Sequence, residues 1–290
     1  MRETMNPGRI KGHLPVLLPA RKLMLSDIPL HDRLFNVWTA GALLIAFLVT
    51  AIGPSFAQAE AAPARSILTI LFEWTPSIAK AFGFNVLISI MAMAIGTVLG
   101  VGLGVLQVSP RSMIRRLAWI VTQFFRNSPW LVLLFYCILL IPFKITLFGM
   151  SVPFPGWIKA VIGLSLPVMA YMSEYMRGAI NSIPSGQWES AQSLGFTRFQ
   201  TMRDIILPQT IKRVLPPWMN LYAVLTMATP LVSIVGVNEV MSLTRAALSA
   251  ESRVDLLIPM YLYILCWFFL YCYPISTLTG RLERRYSVKL

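Results

Sequence analysis

The sequence predicts an all-α integral membrane protein, a helical bundle of five core transmembrane helices joined to one amino-terminal transmembrane helix. Three observations carry that expectation. The chain of 290 residues is 56% hydrophobic and only 13% charged, whereas a soluble domain covers its surface with roughly 25% charged residues. Its mean hydropathy is +0.67. Its apolar residues gather into uncharged runs of about 20, the length that crosses a hydrocarbon core.

The first run, 34–54, follows a basic extension at 1–33 and is assigned to a transmembrane helix over 34–56. A second reading stays open, because 40–53 also fits the apolar region of a signal peptide ending at Ala57-Gln58-Ala59, and cleavage there leaves five helices. The basic lead of about 33 residues is long for a signal peptide and favours the retained helix. Residues 57–80, with their Ala-Glu-Ala-Ala-Pro run, read as a periplasmic loop or interfacial piece.

The transmembrane domain proper is expected over 81–280. Its first run, 84–108, places Gly96, Gly100 and Gly104 on one helix face, where a second helix backbone can approach closely. The runs 117–142 and 157–179 tolerate charges, Arg126 in one and Lys159, Glu174 and Arg177 in the other. The runs 218–237 and 256–276 complete the set, and 281–290 is a basic tail. Most of the 25 Lys and Arg residues fall in 1–33, 111–116, 177–213 and 281–290. Short loops rich in Lys and Arg stay on the cytoplasmic side, so the carboxyl terminus is expected there, and the amino terminus too if the first helix is kept.

That dispersal at helix ends accounts for the formal charge of +13 better than nucleic acid does, since no basic stripe is interleaved with aromatics. Catalysis is equally unsupported. His13 and His31 precede the first span and no span holds an Asp pair, so there is neither a nucleophile with its base nor a metal constellation. Cys137, Cys266 and Cys272 lie within spans without metal-ligand spacing and read as apolar packing residues. A Gly-x-x-x-x-Gly-Lys-Ser/Thr loop is also missing, so ATP, if used, is bound by another polypeptide. No catalytic residue, metal site or directly bound cofactor is expected.

Polar groups inside the spans offer a candidate substrate path. Asn85 and Ser89 lie one turn apart, Thr226, Thr229 and Ser233 recur on a later helix, and Arg126 is an ionisable group within a span. The competing reading is that the hydroxyls bond to carbonyls of their own helices. Glu174 and Arg177, three apart, read as a structural ion pair.

The cytoplasmic connection NSIPSGQWESAQSLGFTRFQTMRDIILPQTIKRVLPP, residues 181–217, is unlike a polar linker. Pro184-Ser185-Gly186 breaks the preceding helix, Ser185 caps a new one, and Glu189 falls in its first turn. Gly195 ends it. Thr197 and Gln200 then form a capping box for a second helix, which carries Phe199, Met202 and Ile206 on one face until Leu207-Pro208 stops it. Two short helices hinged at a glycine must bury an apolar face. A lipid-surface helix carries a richer basic face than Arg198 and Arg203 supply, so the expected occupant is a protein.

Glu189-Ser190-Ala191, Gly195, Ile205, Leu207 and Pro208 resemble, in type and spacing, the EAA signature of permease subunits of bacterial ABC importers, with Ser190 the one departure. Glu174-Tyr175-Met176-Arg177-Gly178, Phe125-Arg126-Asn127-Ser128-Pro129 and Gly236-Val237 with Glu239 are similar to segments of the polar-amino-acid branch, the histidine, glutamine, arginine and opine permeases. The resemblance covers about residues 80 to 285. It implies a coupling helix in the loop 181–215 that docks on a cytoplasmic ATPase dimer through Glu189, Ala191 and Gly195, with Ile205, Leu207 and Pro208 completing the signature. It further implies ATP and Mg on that partner, a second permease copy or paralogue, a periplasmic solute-binding protein, and residence in the bacterial inner membrane. Met227-Ala228-Thr229-Pro230-Leu231 and Leu133 depart from the branch by removing charge and polarity, which leaves a less polar amino acid or derivative open as solute. A stand-alone ion-coupled secondary transporter or channel is the alternative from another class, and it leaves the glycine-hinged loop unexplained.

Overall fold

The computed structural model describes residues 65–147 and 150–286, together with Ala42. Apart from Ala42 these belong to one compact unit, 52–290. The expected basic extension and the first span, with its alternative as a signal peptide, lie outside the described residues.

Helix α1, Ile67–Gln107, starts at Ser66, whose Oγ accepts from the Thr69 amide at 3.4 Å. Its 41 residues extend about 60 Å at 1.5 Å per residue. The outer segment expected as a loop through Lys80 is therefore helical from Ile67 onward. Burial is the reason: Ile67, Ile70, Ile78 and Phe82 pack against Val240, Ala247, Leu256 and Met260, and a helix presents all four to one side.

Helices α2, Ser112–Arg126, and α3, Trp130–Leu140, occupy the run expected as one crossing, but they are bent by 101°. Pro129 disfavours helical backbone at the residue before it and becomes the N-cap of α3. The Asn127 side chain closes α2 by donating to the Gln123 carbonyl at 2.7 Å. Beyond α3 the chain departs from the all-α expectation in an antiparallel hairpin, β1 Lys144–Leu147 with β2 Met150–Pro153, Lys144 opposite Pro153. Ile145, Thr146 and Val152 are β-branched and favour extended backbone.

Helix α4, Gly156–Asn181, is the centre of the bundle: 67% of its most apolar stretch is buried, against 33% for α1 and for the last helix. Its packing on α1 follows from the glycine face. A Cβ added at Gly96 would lie 2.5 Å from Val168 Cγ1, at Gly100 2.6 Å from the Met169 carbonyl oxygen, and at Gly104 2.5 Å from Met176 Cβ. Those positions admit no side chain, and the close backbone approach they allow is what holds helices together where lipid removes the hydrophobic drive.

Helix α5, Ser185–Ser193, is followed by a turn at Arg198–Gln200, a π-helical turn at Thr201–Ile206 and helix α6, Leu207–Ala228. The run expected at 218–237 is not one helix. It ends with α6, passes through a 3-10 turn at Thr229–Ser233 because Pro230 cannot continue the amide ladder, and turns at Gly236 with φ +83°. Helices α7, Val240–Glu251, and α8, Leu257–Tyr286, follow. Among the described residues three helices, at 67–107, 156–181 and 254–282, are long and apolar enough to cross a membrane, and the bent α2–α3 pair makes a fourth if counted as one span.

The two ends of the bundle are chemically distinct. At one, Arg253 donates to the Arg65 carbonyl at 2.7 Å and Arg65 pairs with Glu251 at 3.1 Å. At the other, Arg198 donates to the Val108 carbonyl at 3.5 Å and Arg213 to that of Ser182 at 2.9 Å. The basic segments 108–116 and 181–213 thus share one end, as the charge distribution predicts.

Candidate functional site

At the basic end the loop builds a small surface from the residues expected to make it. Pro184, not Ser185, is the N-cap of α5, so Ser185 is the first helical residue and Glu189 falls one residue later than expected, past the first turn. Proline's extended ψ of 140° sets the entry and leaves the serine hydroxyl without a capping role. The helix stops where expected. Gly195 adopts φ +80°, its amide donates to Gln192 O at 3.0 Å and that of Phe196 to Ala191 O at 3.1 Å. This paired bonding around a left-handed residue is the Schellman closure, which a glycine adopts without strain.

Thr197 and Gln200 form the expected capping box, with Gln200 Oε1 accepting from the Thr197 amide at 2.9 Å and Thr197 Oγ1 accepting from the Gln200 amide at 3.3 Å. The second helix does not stop at Leu207-Pro208. Pro208 is the second residue of α6, and the π turn before it delivers the chain into that helix without a break.

Burial sorts the loop residues. Ala191 and Ile206 are buried, Ile205 and Leu207 half-buried, and Glu189, Gly195 and Pro208 exposed. Met202 and Ile206 point inward with Met172, Met176, Ile180, Ile183 and Val214. Phe199, expected on their face, is instead 73% exposed, and Leu194 beside it is 76% exposed. The loop therefore anchors one side on the bundle and leaves large apolar side chains uncovered on the other.

The candidate path residues have their polar groups engaged inside the chain. Asn85 donates to Glu239 Oε2 at 2.8 Å and to Thr229 Oγ1 at 3.1 Å, and accepts from the Val240 amide at 3.2 Å. Ser89 donates to Val86 O at 2.7 Å, Thr226 to Tyr222 O at 3.0 Å, Thr229 to Thr226 O at 2.8 Å, and Ser233 to Pro230 O at 2.8 Å. Arg126 lies 3.6 Å from Glu174, which also accepts from Arg177 at 2.6 Å. The expected pair is thus a triad joining α2 and α4.

Glu239 was legible only as a motif residue, and the structure gives it a larger part. It is 2% exposed and caps α7 by accepting from the amides of Met241 at 2.8 Å and Ser242 at 3.0 Å. With Asn85 and Thr229 it locks α1, the turn after α6 and the start of α7 together. Beside this lock lies a cleft of about 750 Å³ lined by Lys80, Phe84, Asn238, Glu239 and Ser242 among others. A second buried knot ties α1, α2 and α4: Gln107 Nε2 donates to Thr122 at 3.0 Å and to Ser173 at 2.7 Å.

Residues 96–288 match the family described as binding-protein-dependent transport system inner membrane component. A probable amino-acid ABC transporter permease protein of Bacillus subtilis, YckA, is 33% identical over 218 residues, 75% of this chain and 92% of that protein. The L-cystine transport system permease protein TcyB of the same organism is 31% identical over 72% of this chain and 86% of its own. Among solved structures, an amino acid ABC transporter with histidines aligns with a TM-score of 0.64 at 26% identity, over 77% of this chain and 99% of that one. The inward-facing methionine ABC transporter MetNI aligns at 0.57 and 15% identity, over 73% of this chain and 96% of that one, a likeness of fold alone.

Proposed function

The chain belongs to the family of binding-protein-dependent transport system inner membrane components, and on that premise we propose that it conducts an amino acid or a related small polar solute inward, driven by ATP hydrolysed on a separate subunit. It is the permease of the importer. The observation that carries the coupling half of this reading is the loop around Gly195, with Leu194 and Phe199 uncovered beside the exposed Glu189. Apolar side chains held rigidly in water by a Schellman closure and a capping box favour a partner groove that covers them. The docking residues are Glu189, Ala191, Gly195, Ile205, Leu207 and Pro208, and the partner is a cytoplasmic ATPase dimer that holds the ATP and Mg.

The solute class is supported by the names of the relatives, which are amino-acid and cystine permeases. A periplasmic binding protein supplies the solute, and a second permease copy or paralogue completes the path. Residues 181–215 form the coupling loop of a transmembrane domain over 81–280, and the carboxyl terminus lies in the cytoplasm of a bacterial cell. Of the candidate path residues, Asn85 is the best placed, because its partner Glu239 lines the 750 Å³ cleft. Ser89, Thr226, Thr229 and Ser233 serve mainly to stiffen helices, and Arg126 to bind Glu174.

Affinity purification of the tagged chain from its native membrane tests this. Recovery of an ATPase with a phosphate-binding loop is expected. A lone polypeptide, under conditions that keep a known importer whole, would instead favour an ion-coupled transporter.

A further inference from the structure

A second cleft lies away from the Asn85 lock, at the basic end, between the start of α2, the end of α4 and the coupling loop, with a volume of about 910 Å³. Four arginines line it, Arg115, Arg116, Arg177 and Arg198, and no acidic residue does. Three have partial partners: Arg115 donates to Ser109 O at 3.0 Å, Arg198 to Val108 O at 3.5 Å, and Arg177 to Glu174 at 2.6 Å. Glu174 is the acidic group nearest in the bonding pattern, and it is shared with Arg126. A net positive field remains.

Two wall atoms have no hydrogen-bond partner although they are buried, Arg177 Nε and Gln107 Oε1. Gln107 is 3% exposed and its amide nitrogen is fully used on Thr122 and Ser173, so its oxygen is left without a partner. Buried groups of this kind normally have partners, and an unmet one calls for a ligand or water. Donors of positive charge next to an unmet acceptor suit a ligand that is an anion and also carries hydroxyls.

The helix that carries two of the arginines also exposes apolar side chains. Trp119, 51% exposed, lines the cleft, and Leu117 and Ile120 on the same helix are 56% and 55% exposed. Tryptophan at the edge of an exposed apolar helix face marks the level of lipid headgroups. We propose that this cleft binds a hydroxyl-bearing phosphate ester, supplied by the headgroup of an anionic glycerolipid of the cytoplasmic leaflet. Arginine forks take the phosphate, the Gln107 oxygen accepts from a headgroup hydroxyl, and the acyl chains run along Leu117 and Ile120. The inference rests on the assignment of this end to the cytoplasm. Because the coupling loop forms one wall, the headgroup also braces α5 against α2.

The test uses the full chain, with any co-eluting ATPase, reconstituted in nanodiscs of phosphatidylglycerol and phosphatidylcholine and released for native mass spectrometry. Wild type is expected to retain phosphatidylglycerol, and the Arg115→Gln/Arg116→Gln variant to hold it about 25-fold more weakly, at roughly fivefold per arginine. Equal retention by the two overturns the site. If that variant fails to fold, Arg198→Gln, on an exposed loop residue, reads the same loss at about fivefold. Competition by soluble glycerol phosphate in lipid-poor protein separates the sources. Binding of glycerol phosphate with no preference for phosphatidylglycerol overturns the lipid and leaves a free phosphate ester as the occupant. Labelling of Ser109→Cys from outside the cell would overturn the orientation alone, since lipid retention is read independently of it.

Discussion

The glycine face of α1 and the coupling loop around Gly195 both depend on glycine, for opposite reasons. At Gly96, Gly100 and Gly104 the missing Cβ makes room for α4, and a replacement runs into atoms of α4 within 2.6 Å. At Gly195 nothing lies within 4 Å of an added Cβ, and the requirement is the backbone angle of φ +80°. The first region is complete inside the subunit. The second is complete only in its backbone bonds, and its Leu194 and Phe199 side chains await cover. Glycine thus marks a packed seam in one place and a left-handed turn beside exposed apolar side chains in the other.

The strongest way to break this contrast is Gly100→Leu. Its side chain has nowhere to go between Met169 and Met172, and overpacking of about 3 kcal/mol or more is expected. Fluorescence-detected size exclusion should show loss of the monodisperse peak, and a normal peak would mean the seam is not load-carrying. Gly195→Asp should do the reverse, leaving expression and insertion intact while abolishing uptake and ATPase recovery. The structure alters the reason for that outcome: the subunit has space for the new side chain, so the effect comes from strain at φ +80° and from the charge it sets against a covering partner. Normal uptake would remove the docking assignment.

A middle case sharpens the comparison. Asn85→Ala deletes the donor to the buried Glu239 carboxyl and the acceptor for the Val240 amide, a loss of about 2 kcal/mol. The thermal midpoint in detergent should fall while ATPase recovery is retained, and an unchanged midpoint would deny the lock its structural weight. The smallest stability effect is expected for Phe199→Ser, within about 0.5 kcal/mol because the ring is already in water, with recovered ATPase nonetheless reduced. A variant that binds ATPase as well as wild type would shift the docking edge toward Leu194.

Much of this was legible in the sequence. The recurrence of glycine at every fourth residue announced the seam, the Thr197–Gln200 spacing announced the capping box, and Gly195 announced the break. What escaped is physically instructive. Pro208 reads as a stop only if the helix before it is α-helical, and the π turn at Thr201–Ile206 removes that assumption. The 101° bend was written in Asn127-Ser128-Pro129, yet apolar residues on both sides hid it within one long run. Glu239 escaped as a site residue because a glutamate at a helix start looks like ordinary dipole matching. Only the fold brings Asn85, 154 positions away in the chain, to its carboxylate.

The uninterrupted passage from the capping box into α6 has a mechanical meaning. Residues 201–228 run on as one helical stretch, its near end held by Thr197 and Gln200 and its far end meeting the Thr229–Ser233 turn beside Asn85. Pro216 and Pro217 take two amide donors out of that ladder, so a displacement received at the near end is shared between a bend at those prolines and the turn that carries Thr229.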